Sequence, residues 1–336
     1  MQDGIIEQKN PEYLTSKWGV AAPRFNKRVI VIAGPTAVGK SRLSLEIAKL
    51  IDGEIISADS VQVYRGLDIG TAKLSLEERM QVPHHLVDIC DLVDTFNVMR
   101  FYECAHRAIR EILQRDRIPI VVGGTGFYLH SLLYGPPQGP PASPDIRRML
   151  EEDLAKFGLE ALFSRLQRYD ADYAQTINQG DKNKIIRALE IIALTEKKVT
   201  DFRKPQSDSA SQEFDFRCWF VYFPMEILYP RIEMRCDEMI ARGLINEVEK
   251  LQQSLCNNPT AARAIGYRQC LHFLHTKRSD ADWEQFIWEF KKASRRYAKR
   301  QFTWFRREPF FRWVDIDAHG YQKVLELILR DYESRY

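Results

Sequence analysis

Eight consecutive residues, Gly34-Pro35-Thr36-Ala37-Val38-Gly39-Lys40-Ser41, complete a G-x-x-x-x-G-K-S loop. The apolar run Val29-Ile30-Val31-Ile32 precedes it, and the helix-compatible stretch Arg42-Leu43-Ser44-Leu45-Glu46-Ile47-Ala48 follows. Strand, phosphate loop and helix in that order point to an α/β architecture. The loop amides and the positive helix N-terminus can surround a di- or triphosphate, Lys40 adds a point charge, and Ser41 offers a hydroxyl to Mg²⁺. The loop alone does not say which phosphate compound it holds, or whether the phosphates are transferred, hydrolysed or discarded.

Further apolar runs bounded by turn residues recur at 54–58, 85–89, 118–122 and 218–223, and helical periodicity separates the earlier ones. The expected fold class is α/β: a P-loop NTPase-like parallel sheet with helices on both faces, plus an inserted all-α domain. Ligands of such sheets sit beyond the carboxyl ends of the strands, where the phosphate loop, Asp59 and Gly123-Gly124-Thr125 all fall. Repeated Pro and Gly over residues 135–141 forbid a helix or central strand and mark a linker. Beyond it the pattern turns helical, with Ser143-Pro144-Asp145 as the start and Leu150, Leu154, Phe157 and Leu162 as apolar positions. The polar stretch 204–212 returns the chain to another strand. The expected organisation is a poorly ordered extension over 1–26, a discontinuous core domain from 27–142 and 213–336, and a helical insertion over 143–212.

At 336 residues, 45% apolar and 28% charged, the chain is long enough for one large or two smaller cores. A net charge of +3 is too mild to imply a polyanionic partner, so the distribution of charge matters more. The six cysteines are scattered without zinc-finger spacing, which predicts buried free thiols in a reducing cytoplasm. No apolar run has membrane-spanning length, and the first 26 residues lack the apolar block of a signal peptide. A cytoplasmic monomer is the expected state.

Asp59 ends a buried strand near the phosphate loop, where a general base, a metal ligand or a simple turn-capping residue fits. The Gly-punctuated segment 64–73 can bring Arg65 and Lys73 towards phosphates or remain a solvated loop. His84 and His85 are adjacent, so in a strand they point to opposite sides and cannot chelate one metal together. Arg231 and Arg235 lie one helical turn apart and can clamp a diphosphate or an RNA backbone, with Glu233 and Glu238 as alternative partners. Residues 291–307 hold eight basic residues in seventeen and no acid. On a helix, Lys292, Arg295, Arg296 and Lys299 share one face, and the interleaved Tyr297, Phe302, Trp304 and Phe305 either stack on bases or pack a core.

Taken in order, the segments 34–41, 57–64, 66–73, 83–88, 121–128, 185–190, 231–239, 264–268 and 296–306 closely resemble the bacterial-type tRNA dimethylallyltransferase family, also called tRNA isopentenyltransferase. The resemblance implies transfer of a dimethylallyl group from dimethylallyl diphosphate to the exocyclic N6 amine of the adenosine 3′ of the tRNA anticodon, with diphosphate leaving. It assigns Gly34 to Ser41, with Arg231, to the donor's diphosphate and Mg²⁺ to Ser41. It makes Asp59, Thr125 and Lys40 catalytic, with Asp59 as general base. It places the anticodon stem-loop against Asp59, Ser60, Val61, Gln62 and Thr125, and against Arg147, Asn183, Lys184 and Arg187 of the insertion. Further tRNA contacts fall on Arg263, Gly266, Tyr267 and Arg268, and on Arg296, Lys299, Arg300, Gln301, Trp304, Arg306 and Arg307. Where relatives carry Asp-Pro-x-Arg, this chain has Asp181-Lys182-Asn183-Lys184, which keeps the charge and loses bidentate geometry.

The competing reading is a small-molecule or nucleoside kinase, which shares the loop and a strand-terminal Asp but has no need of an acid-free basic stretch. A GTP-regulated switch is disfavoured, because no N-K-x-D motif is present and the fourth run ends in Gly123-Gly124 rather than an acidic metal ligand.

Overall fold

Strand β1 (Arg28–Ala33) is buried along its whole length, as its unbroken β-branched run requires of a strand covered on both faces. In this computed structural model, which describes residues 27–202 and 213–334, β1 lies inside a six-stranded, wholly parallel sheet. The expected extension over 1–26 and the polar stretch 204–212 lie outside the described residues. The other strands are β2 (Gly53–Ser57), β3 (His84–His85), β4 (Ile118–Gly123), β5 (Asp215–Tyr222) and β6 (Arg312–Asp315), in spatial order β3-β2-β4-β1-β5-β6. Because β1 sits between β4 and β5, with Ala33 level with Gly123 and Phe220, the chain leaves β1 at a crevice flanked by two strand ends.

Two strand expectations change. The run at 85–89 yields only His84–His85, because Leu86 and Asp88 take left-handed φ values of 61° and 56° that turn the chain out of the sheet. Strand β6 was not foreseen: it is four residues long, at the sheet edge, with a single buried residue, Val314.

The helices in chain order are α1 (Lys40–Ile51), α2 (Leu76–Gln81), α3 (Val98–Gln114), α4 (Gly126–Tyr134), α5 (Pro144–Tyr169), α6 (Ala171–Gln175), α7 (Lys182–Thr195), α8 (Met225–Ala241), α9 (Leu244–Cys256), α10 (Pro259–Ala262), α11 (Tyr267–Leu274), α12 (Asp280–Phe305), α13 (Ile316–His319) and α14 (Tyr321–Glu333). The described residues divide into two compact units, one formed by 27–135 with 213–334 and the other by 136–202. The larger unit is held by one apolar core that includes β1, β4, α3 and the inner face of α12.

The smaller unit packs α5 and α7 around Leu150, Leu162, Leu166, Ile185 and Leu189. Helix α5 starts as its sequence suggests, with the Ser143 side chain accepting from the Ile146 N–H and Pro144 in the first turn. Gly158 breaks it with φ 79°, which shifts the helical phase and leaves Phe157 exposed rather than in the core. Glu190 is fully buried there, accepting from the Ser143 N–H at 2.7 Å, from Arg147 at 3.0 and 3.2 Å and from Arg187 at 2.7 Å.

Of the six free thiols, Cys90, Cys218, Cys236 and Cys270 are buried, Cys104 is half-buried and Cys256 is exposed at the end of α9. Among the described residues no helix is long and apolar enough to cross a membrane.

Candidate active site

The phosphate loop joins β1 to α1 through Ala37 and Gly39, both left-handed at φ 64° and 97°. At Gly34 any Cβ would meet the Val221 carbonyl oxygen of β5 at 2.4 Å, so only glycine lets the loop start this close to the sheet. Lys40 folds back on the loop and donates from Nζ to the Gly34 and Pro35 carbonyls at 3.0 and 2.8 Å. Burial, reinforced by the Arg235 guanidinium and opposed by Asp59, pulls its pKa down to about 7.

Helix α8 carries both expected arginines to this loop. Arg231 donates to the Ala37 carbonyl at 3.2 Å and lies over the Phe223 ring, while Arg235 donates to the Thr36 hydroxyl at 2.8 Å. Neither depends on Glu233, which pairs with Arg295 of α12 instead.

Asp59 is half-buried at the end of β2. Its Oδ1 accepts from the Val61 and Gln62 N–H groups at 2.8 and 3.2 Å, closing the turn, and Oδ2 has no partner among the described residues. The carboxylate is therefore both the turn residue and a group with one free oxygen. The loop behind it is tied down from two sides. Lys73, its side chain only 2% exposed, donates to the Tyr64 carbonyl and to Asp68 and Asp88, and Glu247 of α9 accepts from the N–H groups of Asp68, Ile69 and Gly70. Arg65 pairs with Asp91. Of the two readings the sequence left open for this segment, these partners favour a structural one: the Lys73 ammonium and the Arg65 guanidinium bond within the loop that presents Asp59, with Lys73 at the wall of the first cavity. His84 and His85 are likewise structural, bonded to the Val82 carbonyl and to Glu54.

Two cavities meet at this point. The first, about 420 Å³, is lined by Gly39, Lys40, Ser41, Gln62 and Arg231. The second, about 350 Å³, is lined by apolar Ile232, Met239 and Phe290, by Ser60 and Val61, and by Arg263 and Arg300 at its cationic edge. Thr36, Asp59, Thr71, Arg235 and Tyr297 line both. For Tyr297 the sequence left base stacking and core packing both open, and the structure sets it at the wall of both cavities. Its phenol is driven well above the ordinary range, first by burial and then by the Asp59 charge, with the nearby Thr125 side chain acting in the opposite direction. Thr125, expected to be catalytic, lines neither cavity.

The acid-free run lies mostly on α12, but tertiary neighbours supply the missing acids: Lys291 pairs with Asp237 and Arg295 with Glu233. Arg296, Lys299, Arg300, Trp304, Arg306 and Arg307 are exposed, as are Arg263 and Arg268. Three expected RNA contacts are buried, although Tyr267 lines the second cavity and Gln301 the first. Tyr267 is buried and donates its hydroxyl to Glu247 at 2.6 Å, Gly266 is buried beside it, and Gln301 is buried with both amide ends bonded inside the protein. In the smaller unit Asn183 and Lys184 are exposed, whereas Arg147 and Arg187 direct their guanidiniums to Glu190.

A parallel sheet whose first strand feeds a phosphate loop, with a carboxylate shared between a cavity lined by that loop and Lys40 and a second cavity edged by Arg263 and Arg300, places the chain in the class of phosphate-loop α/β proteins. The IPP transferase family model matches residues 62–308 and the Isopentenyl transferase model matches residues 27–85. The chain belongs to the IPP transferase family. It is 53% identical to the tRNA dimethylallyltransferase of Protochlamydia amoebophila, over 91% of this chain and 89% of that protein, and 45% identical to that of Chlamydia pneumoniae, over 92% and 90%. Among solved structures it is similar to the full-length tRNA isopentenylpyrophosphate transferase of Bacillus halodurans, with 37% identity, TM-score 0.65 and coverage of 91% and 97% of the two chains. It is also similar to a eukaryotic dimethylallyltransferase acting on tRNA, with 29% identity, TM-score 0.71 and coverage of 89% and 78%.

Proposed function

We propose that the chain transfers the dimethylallyl group of dimethylallyl diphosphate to the N6 amine of the adenosine 3′-adjacent to the anticodon of tRNA, releasing diphosphate. The observation that carries this reading is the shared wall of the two cavities, with the phosphate loop on one side, Arg263 and Arg300 on the other, and Asp59 between them. In the reaction the C1–O bond of the donor breaks, the N6–C1 bond forms, the N6 proton passes to Asp59 Oδ2, and the bonding pair leaves with diphosphate. An adenine amine is a weak nucleophile, so the main demand is to stabilise the departing anion, which Lys40, Arg231, Arg235 and the loop amides do. The amine acidifies as it alkylates, so Asp59 needs position more than basicity. An anticodon loop releases its base into the second cavity at less cost than a duplex does.

Mg²⁺ binds through few protein ligands and keeps its waters beside phosphates, and the exposed Ser41 hydroxyl, which lines the loop cavity, fits that demand. When bound there it would add charge to offset the diphosphate. We place the reaction in the cytoplasm, with the chain acting as a monomer.

The test is mass spectrometry of the nucleosides of an anticodon stem-loop after incubation with dimethylallyl diphosphate and Mg²⁺. The expected product is the adenosine enlarged by one dimethylallyl group, formed without ATP. Strict ATP dependence with a phosphorylated product supports the kinase reading instead.

The depressed Lys40 pKa makes anion binding proton-linked. Bound diphosphate raises the Lys40 pKa above its free value of about 7, so affinity is full below pH 7 and declines as pH rises through that value. At pH 8, calorimetry of pyrophosphate binding in buffers of different ionisation heat should show about one more proton taken up by the wild type than by Lys40→Met. Equal uptake in the two proteins removes Lys40 from the linkage.

A further inference from the structure

Helix α12 sends one neutral side chain into the phosphate loop. Gln301 is only 5% exposed, its Oε1 accepts from the Thr36 N–H at 2.9 Å, and its Nε2 donates to the Gly124 carbonyl at 3.0 Å. These partners settle the amide's orientation, since reversing it would set donor against donor and acceptor against acceptor. Space for it is built in: a Cβ on Gly124 would meet Nε2 at 2.1 Å. Thr36 is thus held twice, at its N–H by α12 and at its hydroxyl by Arg235 of α8.

We propose that Gln301 is the positioning residue that holds the phosphate loop in the shape that admits diphosphate, and that it ties this loop to the helix carrying the basic run. The inference rests on the reading of the loop as a diphosphate site. An anion-binding loop works through amides fixed before the ligand arrives, so whatever fixes the backbone sets the affinity. Gln301 braces the loop after β1 against the end of β4, and the next residue towards the N-terminus, Arg300, lines the second cavity. No charged residue does this work. A carboxylate lacks the donor for Gly124 and sets a negative charge beside the phosphates, and a lysine lacks the acceptor for Thr36.

The experiment compares wild type, Gln301→Leu and Gln301→Glu as full chains. Pyrophosphate affinity is measured by calorimetry, stem-loop affinity by filter binding, and KM for the allylic donor separately from kcat. Gln301→Leu should lose about tenfold in pyrophosphate affinity, or about 1.4 kcal/mol, and raise the donor KM more than it lowers kcat, with stem-loop affinity unchanged. Gln301→Glu, which matches the wild-type shape and settles the matter if the leucine variant fails to fold, should lose more. Unchanged pyrophosphate affinity in the variants that fold, whether Tm falls or not, overturns the proposal. So does a loss confined to stem-loop affinity, which would make Gln301 an RNA contact. Because pyrophosphate binding needs no transfer, a wild type that fails to alkylate the stem-loop counts against the proposed function without deciding the role of Gln301.

Discussion

Asp59→Asn should lower kcat and kcat/KM together by about 10²–10⁴-fold, while pyrophosphate and stem-loop affinities stay close to those of the wild type. The expectation follows from the two oxygens having different tasks. Oδ1 accepts from Val61 and Gln62, and an asparagine carbonyl does the same, so the turn is preserved. In place of Oδ2 the variant puts an amide nitrogen, which donates and cannot take a proton from the adenine amine. Single-turnover kinetics with a stem-loop saturated by enzyme separates this chemical effect from binding. Near-normal turnover would remove Asp59 from the reaction, and a parallel loss of both affinities would assign it to folding of the loop.

Arg235→Leu should have the second-largest effect, a loss of about 10²–10³ in kcat/KM for the allylic donor, the scale found when one preorganised donor to a developing anion is deleted. Its guanidinium lines both cavities and bonds the Thr36 hydroxyl, so it stands at the point where donor and acceptor meet. Arg235→Lys should recover only part of the loss, because a point charge cannot bond Thr36 and face the diphosphate with the same fork. The variant also carries a pH signature. Arg235 is one of the causes that depress the Lys40 pKa, so its removal shifts the decline of pyrophosphate affinity from about pH 7 to higher pH. An unshifted profile would mean that the two cations are not coupled.

Much of the site was legible because the relevant signals are local. The phosphate loop announces itself within eight residues between a β-branched run and a helix, and Asp59 follows the next such run directly. The start of the insertion at Ser143-Pro144 is equally local, since a cap and a first-turn proline act on adjacent backbone groups. The i, i+4 spacing of Arg231 and Arg235 gave their common face, and both reach the loop.

The misreadings share another physical origin. The role of Lys73 stayed open because the sequence does not show that Asp68, Asp88 and the Tyr64 carbonyl close around its ammonium. Residues 291–307 looked like an unbroken cationic face because Glu233 and Asp237 are supplied by α8, more than fifty positions away along the chain. Tyr297 carried no local mark that separated a core aromatic from one lining two cavities. Strand β6 was lost for want of length, because four edge residues give too little alternation to register as a strand.

By itself the sequence determined the parallel α/β frame, the phosphate loop and the carboxylate at the neighbouring strand end. These depend on backbone propensity, burial of continuous apolar runs and turn chemistry, all set within about a dozen residues. Only the tertiary structure decided which charges face a ligand and which hold the protein together. Gln301 meets Thr36 across 265 positions and Arg235 meets it across 199. A side chain's partner at such separations depends on how helices pack over the sheet. The direction of a cation or amide therefore becomes fixed only when the core has closed around it.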